Sequence, residues 1–376
     1  MSEKLQKVKL VDICRPKQWK TISMKNLHDD GYPVYGANGK VGFYSEYTHA
    51  KPTLMITCRG ATCGTVNLSE PFSYIMGNAM ALDNLDKERA HLKYLYYFLT
   101  WQGFDQVISG TAQPQITRTG LSNYEVLLPP LGEQRRIAAV LDKADALRQK
   151  RRAALARLDT LLQATFLHMF GDPVTNPMGW EEMELFDTAD KFSDGPFGSN
   201  LKTEHYTESG IQVIRLQNIG VGYLDESDKA FISEEHYQSL PRHHCIPGDI
   251  VVGTLGDPNL RATIIPQHID RCLNKADCVQ YRVNSKIMNK DYACWLLNNP
   301  NIIKRASALS LGQTRLRISM GRLKGLIVPV PPLEKQKTFS VYYQRFAIEK
   351  NAQVENLGLL DNLFHALQQR AFSGQL

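Results

Sequence analysis

Residues 133–170 contain neither glycine nor proline, and most of them are good helix formers. Their apolar side chains recur at heptad spacing, which predicts one long helix that packs on a second helix. The predicted packing columns are Ile137, Ala144 and Leu158 in one, and Val140, Leu147, Ala154 and Leu161 in the other. Gly171 and Pro173 end the segment, and the rise of an α-helix gives it a length of roughly 60 Å.

A second copy of this segment lies near the C-terminus. Pro129-Pro130-Leu131 recurs 202 positions later as Pro331-Pro332-Leu333, and Gln134 recurs as Gln336. The same displacement relates apolar residues, namely Leu155 and Leu357, Leu158 and Leu360, Leu161 and Leu363, Ala164 and Ala366, and Phe170 and Phe372. A gapless match of this length indicates an internal repeat, so residues 333–372 are predicted to form a second long helix. A pseudo-two-fold axis would make the two helices antiparallel.

Each predicted helix follows a stretch with strand, turn and short-helix signals. The two stretches share the order of these elements, including a polar loop before the last strand, at residues 110–116 and 312–318. Elsewhere their sequences diverge. The predicted fold is therefore α+β, with two α/β globules separated by two long antiparallel coiled-coil helices in a pseudo-two-fold repeat. The expected boundaries are 1–128 and 173–330 for the globules, and 129–172 and 331–376 for the helices.

Composition is compatible with a nucleic-acid partner. The net charge is +6, and residues 132–170 carry eight lysines and arginines against four acidic residues. No apolar run approaches the ~20 residues of a membrane span, and the N-terminus has no signal-peptide core. The seven cysteines are odd in number and lack CxxC spacing, so we expect reduced thiols in the cytoplasm.

Sequence motifs for catalysis are missing. There is no GxxxxGK[ST] loop for nucleotide phosphates. The runs nearest to the Asn/Asp-Pro-Pro-aromatic motif of adenine methyltransferases, at Asn299-Pro300 and Asp257-Pro258, lack the second proline and the aromatic residue. His243-His244-Cys245 has no matching second pair at zinc spacing. We therefore expect neither a catalytic nor a metal site.

The run LPPLGEQRRIAAVLDKADALRQKR, the later VPPLEKQ and the order globule, helix, globule, helix resemble the specificity (S) subunits of type I restriction-modification systems, the HsdS family. Lys335, at the position equivalent to Glu133, departs from the pattern. The resemblance implies that the globules are target recognition domains, each reading one part of a split DNA site. It also implies that the helices dock two methyltransferase (M) subunits and later the restriction (R) subunits, without catalysis in this chain. S-adenosylmethionine is then expected on the M subunits, and ATP and Mg on the R subunits.

Candidate DNA contacts are polar residues in predicted loops. Arginine, asparagine and glutamine can bind base edges with two hydrogen bonds, whereas lysine mainly contacts phosphates. The candidates are Asn38, Lys40, Arg59, Gln113, Gln115 and Arg118 in the first globule, and Lys202, Arg215, Gln217, Asn218, Gln313, Arg315 and Arg317 in the second. The loops with Gln113 and Gln313, which precede the last strand of each globule, are favoured. The candidate coiled-coil and subunit-docking residues are Ile137, Val140, Leu147, Leu158, Leu161, Leu357, Leu360 and Leu363.

Two other functions are compatible with the sequence. A degenerate or fused DNA adenine methyltransferase would bind S-adenosylmethionine or transfer methyl groups by itself. A coiled-coil adaptor without DNA binding would associate with its partner independently of DNA and salt.

Overall fold

A computed structural model describes residues 6–37, 39–110, 113–256, 258–308 and 317–376. The chain forms two compact units, the first comprising Met1–Ala153 with Glu355–Leu376 and the second comprising Ala154–Val354. Each unit contains one globule and part of each long helix. Within the described ranges, no helix is both long and apolar enough to cross a membrane.

The first unit is built from short strands and one short α-helix, followed by the first long helix. The strands are β1 (Gln6–Lys9), β2 (Arg15–Gln18), β3 (Tyr32–Gly36), β4 (Gly39–Tyr44), β5 (Leu54–Thr57), β6 (Val66–Leu68), β7 (Tyr74–Ile75), β8 (Ala79–Asp83) and β9 (Glu125–Leu128). The helices are α1 (Leu92–Gln102) and α2 (Leu131–Phe170).

These strands form three sheets. β1 pairs with β9, and a four-stranded antiparallel sheet has the order β2-β8-β5-β6. A third sheet has the order β4-β3-β7, in which β3 and β7 are parallel. Tyr94, Leu95 and Phe98 of α1 are fully buried in one core with Ile56 and Met80 of the four-stranded sheet. Burial of these side chains stabilises the packing of α1 on this sheet.

The remaining strands and helices lie in the second unit, except that α2 and α7 each extend through both units. The strands are β10 (Glu181–Glu184), β11 (Ala189–Ser193), β12 (Tyr206–Thr207), β13 (Ile211–Ile214), β14 (Phe231–Ile232), β15 (His244–Cys245), β16 (Ile250–Gly253), β17 (Arg261–Ile264), β18 (Cys272–Asn274), β19 (Cys278–Val283) and β20 (Ile327–Val330). The helices are α3 (Glu234–Gln238), α4 (Lys290–Leu297), α5 (Pro300–Ser307), α6 (Met320–Lys324) and α7 (Leu333–Phe372).

The sheets of the second unit repeat the plan of the first. β10 pairs with β20, and the four-stranded antiparallel sheet has the equivalent order β11-β19-β16-β17. A parallel pair, β13 with β18, again lies in a third sheet, which is enlarged to the order β12-β14-β13-β18-β15. The internal repeat therefore extends through both globules, and α2 and α7 confirm the two predicted long helices.

Gln134 anchors the start of α2 to the first globule. Its side chain is buried, and Oε1 accepts a hydrogen bond of 2.7 Å from the backbone N–H of His91. Its Nε2 donates to the carbonyl oxygens of Arg89 and Pro129, at 2.8 Å each. Because His91 is the N-cap residue of α1, these bonds tie the starts of two helices together.

Gln336 makes the equivalent bonds at the start of α7. Its Oε1 accepts from the backbone N–H of Asn289 at 2.8 Å, and its Nε2 donates to the carbonyls of Ile287 and Pro331 at 3.0 and 2.7 Å. All six groups bonded by the two glutamines are backbone groups. The repeated Pro-Pro-Leu-x-x-Gln sequence is thus a structural anchor, used once in each unit.

The buried face of the long helices differs in part from the predicted columns. Ile137 is buried as predicted, and Val140, Leu158, Leu357 and Leu360 are partly buried. Leu147, Leu161 and Leu363 are 52%, 54% and 51% exposed, so the prediction that they pack between the helices is wrong. The second buried column contains Leu141 and Leu162 instead. Each residue of this column lies four positions after a residue of the first column. This spacing is typical of a helix that packs a wider apolar stripe against a globule than a coiled coil would require.

One contact between α2 and α7 occurs in both units. In the first, Arg148 donates from Nε to Oδ1 of Asp361 at 2.6 Å, and its guanidinium lies 4.2 Å from the centre of the Phe364 ring. In the second, Lys350 pairs with Asp159 at 2.7 Å. Arg148 and Lys350 are equivalent in the repeat, and so are Asp159 and Asp361. In each unit the early part of one helix meets the late part of the other, so the helices run antiparallel as predicted.

The Arg148–Asp361 pair should contribute a coupling of about 1 kcal/mol, measured by a double-mutant cycle of Arg148→Met and Asp361→Asn in urea. The hydrogen bond from Arg148 lowers the pKa of Asp361 from its ordinary 3.8. The coupling should therefore be fully present above pH 3.8 and be lost as the pH falls further. Lys150→Met, which removes an exposed cation of α2, is the control. Additive single variants at pH 7 would contradict the pairing.

Candidate nucleic-acid interface

Three loops of the first unit meet beyond the C-terminal end of β5. The hydroxyls of Thr57 and Thr62 donate to the carbonyl oxygen of Ala37, at 2.8 and 3.1 Å. The backbone N–H of Gly60 donates to the carbonyl of Pro114 at 3.1 Å. These bonds join the β3–β4 turn, the loop after β5 and the loop before β9. We call the described residues of these loops, namely 37, 58–65 and 113–119, the first tip.

The first tip brings several predicted contact residues together. Arg59 and Gln115 are paired in an isolated β-bridge. Both residues are exposed, and so is Gln113, which lies in the same loop as Gln115. Lys40 is exposed on β4, but its Nζ lies 3.3 Å from Glu70. The guanidinium and amide groups at this tip suit base edges, whereas a lysine beside a carboxylate suits a phosphate only after that pair separates.

Arg118 is exposed in the loop before β9. Asn38, Gln313 and Arg315 lie outside the described residues.

The second unit has an equivalent edge beyond β16. The backbone N–H of Thr254 donates to the carbonyl of Asp277 at 3.0 Å, and that of Ile318 donates to the carbonyl of Thr254 at 2.9 Å. Leu255 bridges to Arg317. Bonds of Cys58 with Asn78 and Ile116 supply the same framework in the first unit. We call residues 194–202, 215–219, 254–256, 275–277 and 317 the second tip.

Arg317 is held at the second tip by two neighbours. Its Nε lies 2.7 Å from Oδ1 of Asp277, and its guanidinium carbon lies 5.5 Å from the centre of the Phe197 ring. Lys202 is exposed in the loop between β11 and β12, and its Nζ lies 3.3 Å from Oε1 of Glu204. Both cations are at least partly exposed, and each is paired with a carboxylate.

The remaining predicted residues of the second unit form one hydrogen-bonded loop. Arg215 and Gln217 both contact the carboxylate of Asp228, at 2.8 and 3.1 Å. The hydrogen bond from Arg215 lowers the pKa of Asp228. Asn218 is buried and donates to the carbonyls of Asp225 and Asp228, so its side chain organises the loop. This arrangement leaves Gln217 exposed, whereas the side chain of Arg215 is only 19% exposed.

Arg261 joins residues 215–219 to the loop after β16, a role for which the sequence contains no signal. Its guanidinium donates to the carbonyls of Leu216 and Ile219 at 3.0 and 2.7 Å. It also donates to the carbonyls of Leu255 and Pro258 at 3.1 and 2.9 Å. A five-donor side chain thereby satisfies backbone groups from two loops.

Two buried cysteine thiols of the described residues are poor nucleophiles. Burial raises the pKa of the Cys14 and Cys294 thiols to about 12, which keeps them protonated and weakly nucleophilic. The described part of the chain contains no group of three or more His, Cys, Asp or Glu side chains that could hold a metal ion. In the part of the chain that the structure describes, both tips carry polar and cationic side chains that are exposed or partly exposed.

The fold defines a class of protein in which a duplicated scaffold presents polar loops from each of its two copies. A family model described as type I restriction modification DNA specificity domain matches residues 2–157 and 178–356. The chain therefore belongs to the family of type I restriction-modification DNA specificity subunits.

Individual relatives agree with this assignment. The chain is 24% identical over 274 residues to the type I restriction enzyme MjaVIII specificity subunit of Methanocaldococcus jannaschii, a match that covers 66% of this chain but only 61% of that protein. It is 22% identical to the putative specificity subunit S.HindORF215P of Haemophilus influenzae, covering 87% of this chain and 83% of that protein. Its fold resembles the crystal structure of an S subunit from M. genitalium, with a TM-score of 0.63, 17% identity and coverage of 98% and 96%.

Proposed function

We propose that the chain is the non-catalytic subunit that gives a cytoplasmic type I restriction-modification complex its DNA specificity. It recognises a bipartite, asymmetric site in double-stranded DNA, with residues 1–128 and 173–330 as target recognition domains. The observation that carries this proposal is one frame used twice: the sheet order and the glutamine anchors recur, whereas the tips differ in sequence. Unlike tips on a repeated frame suit unlike half-sites.

We further propose that the long helices, residues 129–172 and 331–376, dock two methyltransferase subunits, which the restriction subunits then join. Support comes from apolar side chains that the helices leave exposed. They are Leu147 and Leu161 on α2, and Val341, Tyr342, Ile348, Val354, Leu359 and Leu363 on α7. Exposed apolar residues in such number favour a protein partner. S-adenosylmethionine would then bind to the M subunits, and ATP and Mg to the R subunits.

Methylation mapping in a host that carries the system should identify a split target sequence. The purified chain with its M partner should bind a duplex of that sequence at least a hundredfold more tightly than a scrambled duplex at about 0.15 M salt. Changing either half of the target alone should abolish this preference, because each tip contributes. Equal affinity for mapped and scrambled duplexes would contradict DNA recognition. S-adenosylmethionine binding, or methyl transfer by the chain alone, would point instead to a methyltransferase.

A further inference from the structure

Phe197 is an aromatic residue of the second tip that no sequence motif marks for DNA contact. It follows β11 in the loop Asp194-Gly195-Pro196-Phe197-Gly198. Its side chain is 47% exposed, at the edge that carries Arg317. The ring and the guanidinium of Arg317 thus lie side by side at this tip.

The backbone on both sides of Phe197 is fixed. A Cβ atom on Gly195 would lie 2.0 Å from the carbonyl carbon of Lys275, so only glycine allows this close approach. The carbonyl of Asp194 lies 2.6 Å from Nδ1 of His243, which donates to it. Gly198 has a φ of +58°, which lets the chain turn immediately after the ring. The ring is therefore presented to solvent by a constrained loop.

The surroundings of Phe197 suit a nucleic acid better than an apolar protein surface. Among the described residues, no other aromatic ring contacts Phe197. Arg317 lies 5.5 Å from the ring centre and is paired with Asp277, and it also interacts with Asp194 of the same loop. A ring beside a guanidinium can stack on a base or a sugar while the guanidinium contacts a phosphate or a base edge.

We propose that Phe197 packs against the bases of the half-site read by the second unit, next to Arg317, and thereby contributes to sequence recognition. This inference rests on the proposed function. Because the ring neutralises no phosphate, its contribution should be independent of salt concentration.

The chain provides a matched control in Phe186. Phe186 is 44% exposed and also lies beneath a cation, Lys324, at 4.4 Å. It precedes β11, whereas Phe197 follows it, so the two residues lie at opposite ends of a strand roughly 16 Å long. Phe186→Ala and Phe197→Ala each remove one exposed ring. The two variants therefore differ in where that ring lies relative to the second tip.

The test uses the full chain assembled with its M partner and the mapped duplex. Phe197→Ala should weaken binding about tenfold or more without changing the slope of log K against log salt concentration. Phe197→Trp and Phe186→Ala should bind like the unmodified chain. Lys202→Ala should make the slope of log K against log salt concentration shallower, by the contribution of about one phosphate contact.

Two results would overturn this inference while leaving the proposed function intact. One is unchanged binding of the mapped duplex by Phe197→Ala. The other is weaker assembly of this variant with the M subunits in the absence of DNA, which would assign the ring to a protein contact. If the unmodified complex does not prefer the mapped duplex over the scrambled one, both the inference and the proposed function fail.

Discussion

The Asp249→Ala variant is expected to lose about 4 kcal/mol of unfolding free energy in the second unit. Asp249 precedes β16 and is 1% exposed. Its carboxylate accepts from Nε and Nη2 of Arg282 at 2.7 and 2.9 Å, and from Nε2 of Gln280 at 2.6 Å. It also accepts from the backbone N–H of Ile246 at 2.9 Å. Alanine would leave all of these donors without this acceptor, and the side chain of Gln280 among them is fully buried.

Hydrogen exchange read by mass spectrometry locates this loss. Amides of β16–β19 should lose protection in Asp249→Ala, while those of β5 and β8 in the first unit should remain unchanged. Asp249→Asn, which keeps one acceptor oxygen, should give an intermediate loss. Asp270→Ala removes an exposed carboxylate from the same unit and should have no effect. Wild-type protection in Asp249→Ala would exclude the proposed role of this network.

The second large effect concerns the two anchors. Gln134→Ala and Gln336→Ala should each lower the unfolding free energy by about 3 kcal/mol, because each leaves one N–H and two carbonyls without their partner. The similar geometry predicts similar losses, and each loss should be confined to the unit that contains the altered anchor. Urea unfolding gives the magnitude, and hydrogen exchange at the starts of α1 and α4 gives the location.

Gln149→Ala is the matched control, since this glutamine is exposed on α2. A loss in Gln134→Ala no larger than in this control would show that the anchor contributes little. If DNA recognition is divided as proposed, Gln134→Ala should also impair one half of the mapped site more than the other.

Parts of the fold could be predicted because they depend on local sequence. The repeat displaced by 202 residues correctly predicted α2, α7 and the equivalence of Gln134 with Gln336. Leu147 and Leu161 of the second apolar column were wrongly predicted to be buried, because heptad spacing assumes a partner helix on one narrow seam. Here Ile137 and Leu141 share a core with residues of the globule, which covers a wider stripe.

The tips were predictable only in outline. Turn residues and polar loops indicated where DNA contacts could lie, and the first tip does bring Arg59 and Gln115 together. The hydrogen bonds that organise the second tip could not be predicted. Asn218 and Arg261 donate to carbonyls that only the tertiary fold brings within reach. Phe197 was missed for a related reason: a phenylalanine in a glycine-rich loop gives no indication of whether its ring faces the core or solvent.

The anchors have a consequence for how such a chain can change. Gln134 and Gln336 bond only to backbone atoms, and the residues that supply them differ between units: Arg89 and His91 in one, Ile287 and Asn289 in the other. The globule can therefore vary its side chains without altering the attachment. If the globules recognise DNA as proposed, a globule of different sequence would keep the same attachment to its long helix and present its own loops to the DNA.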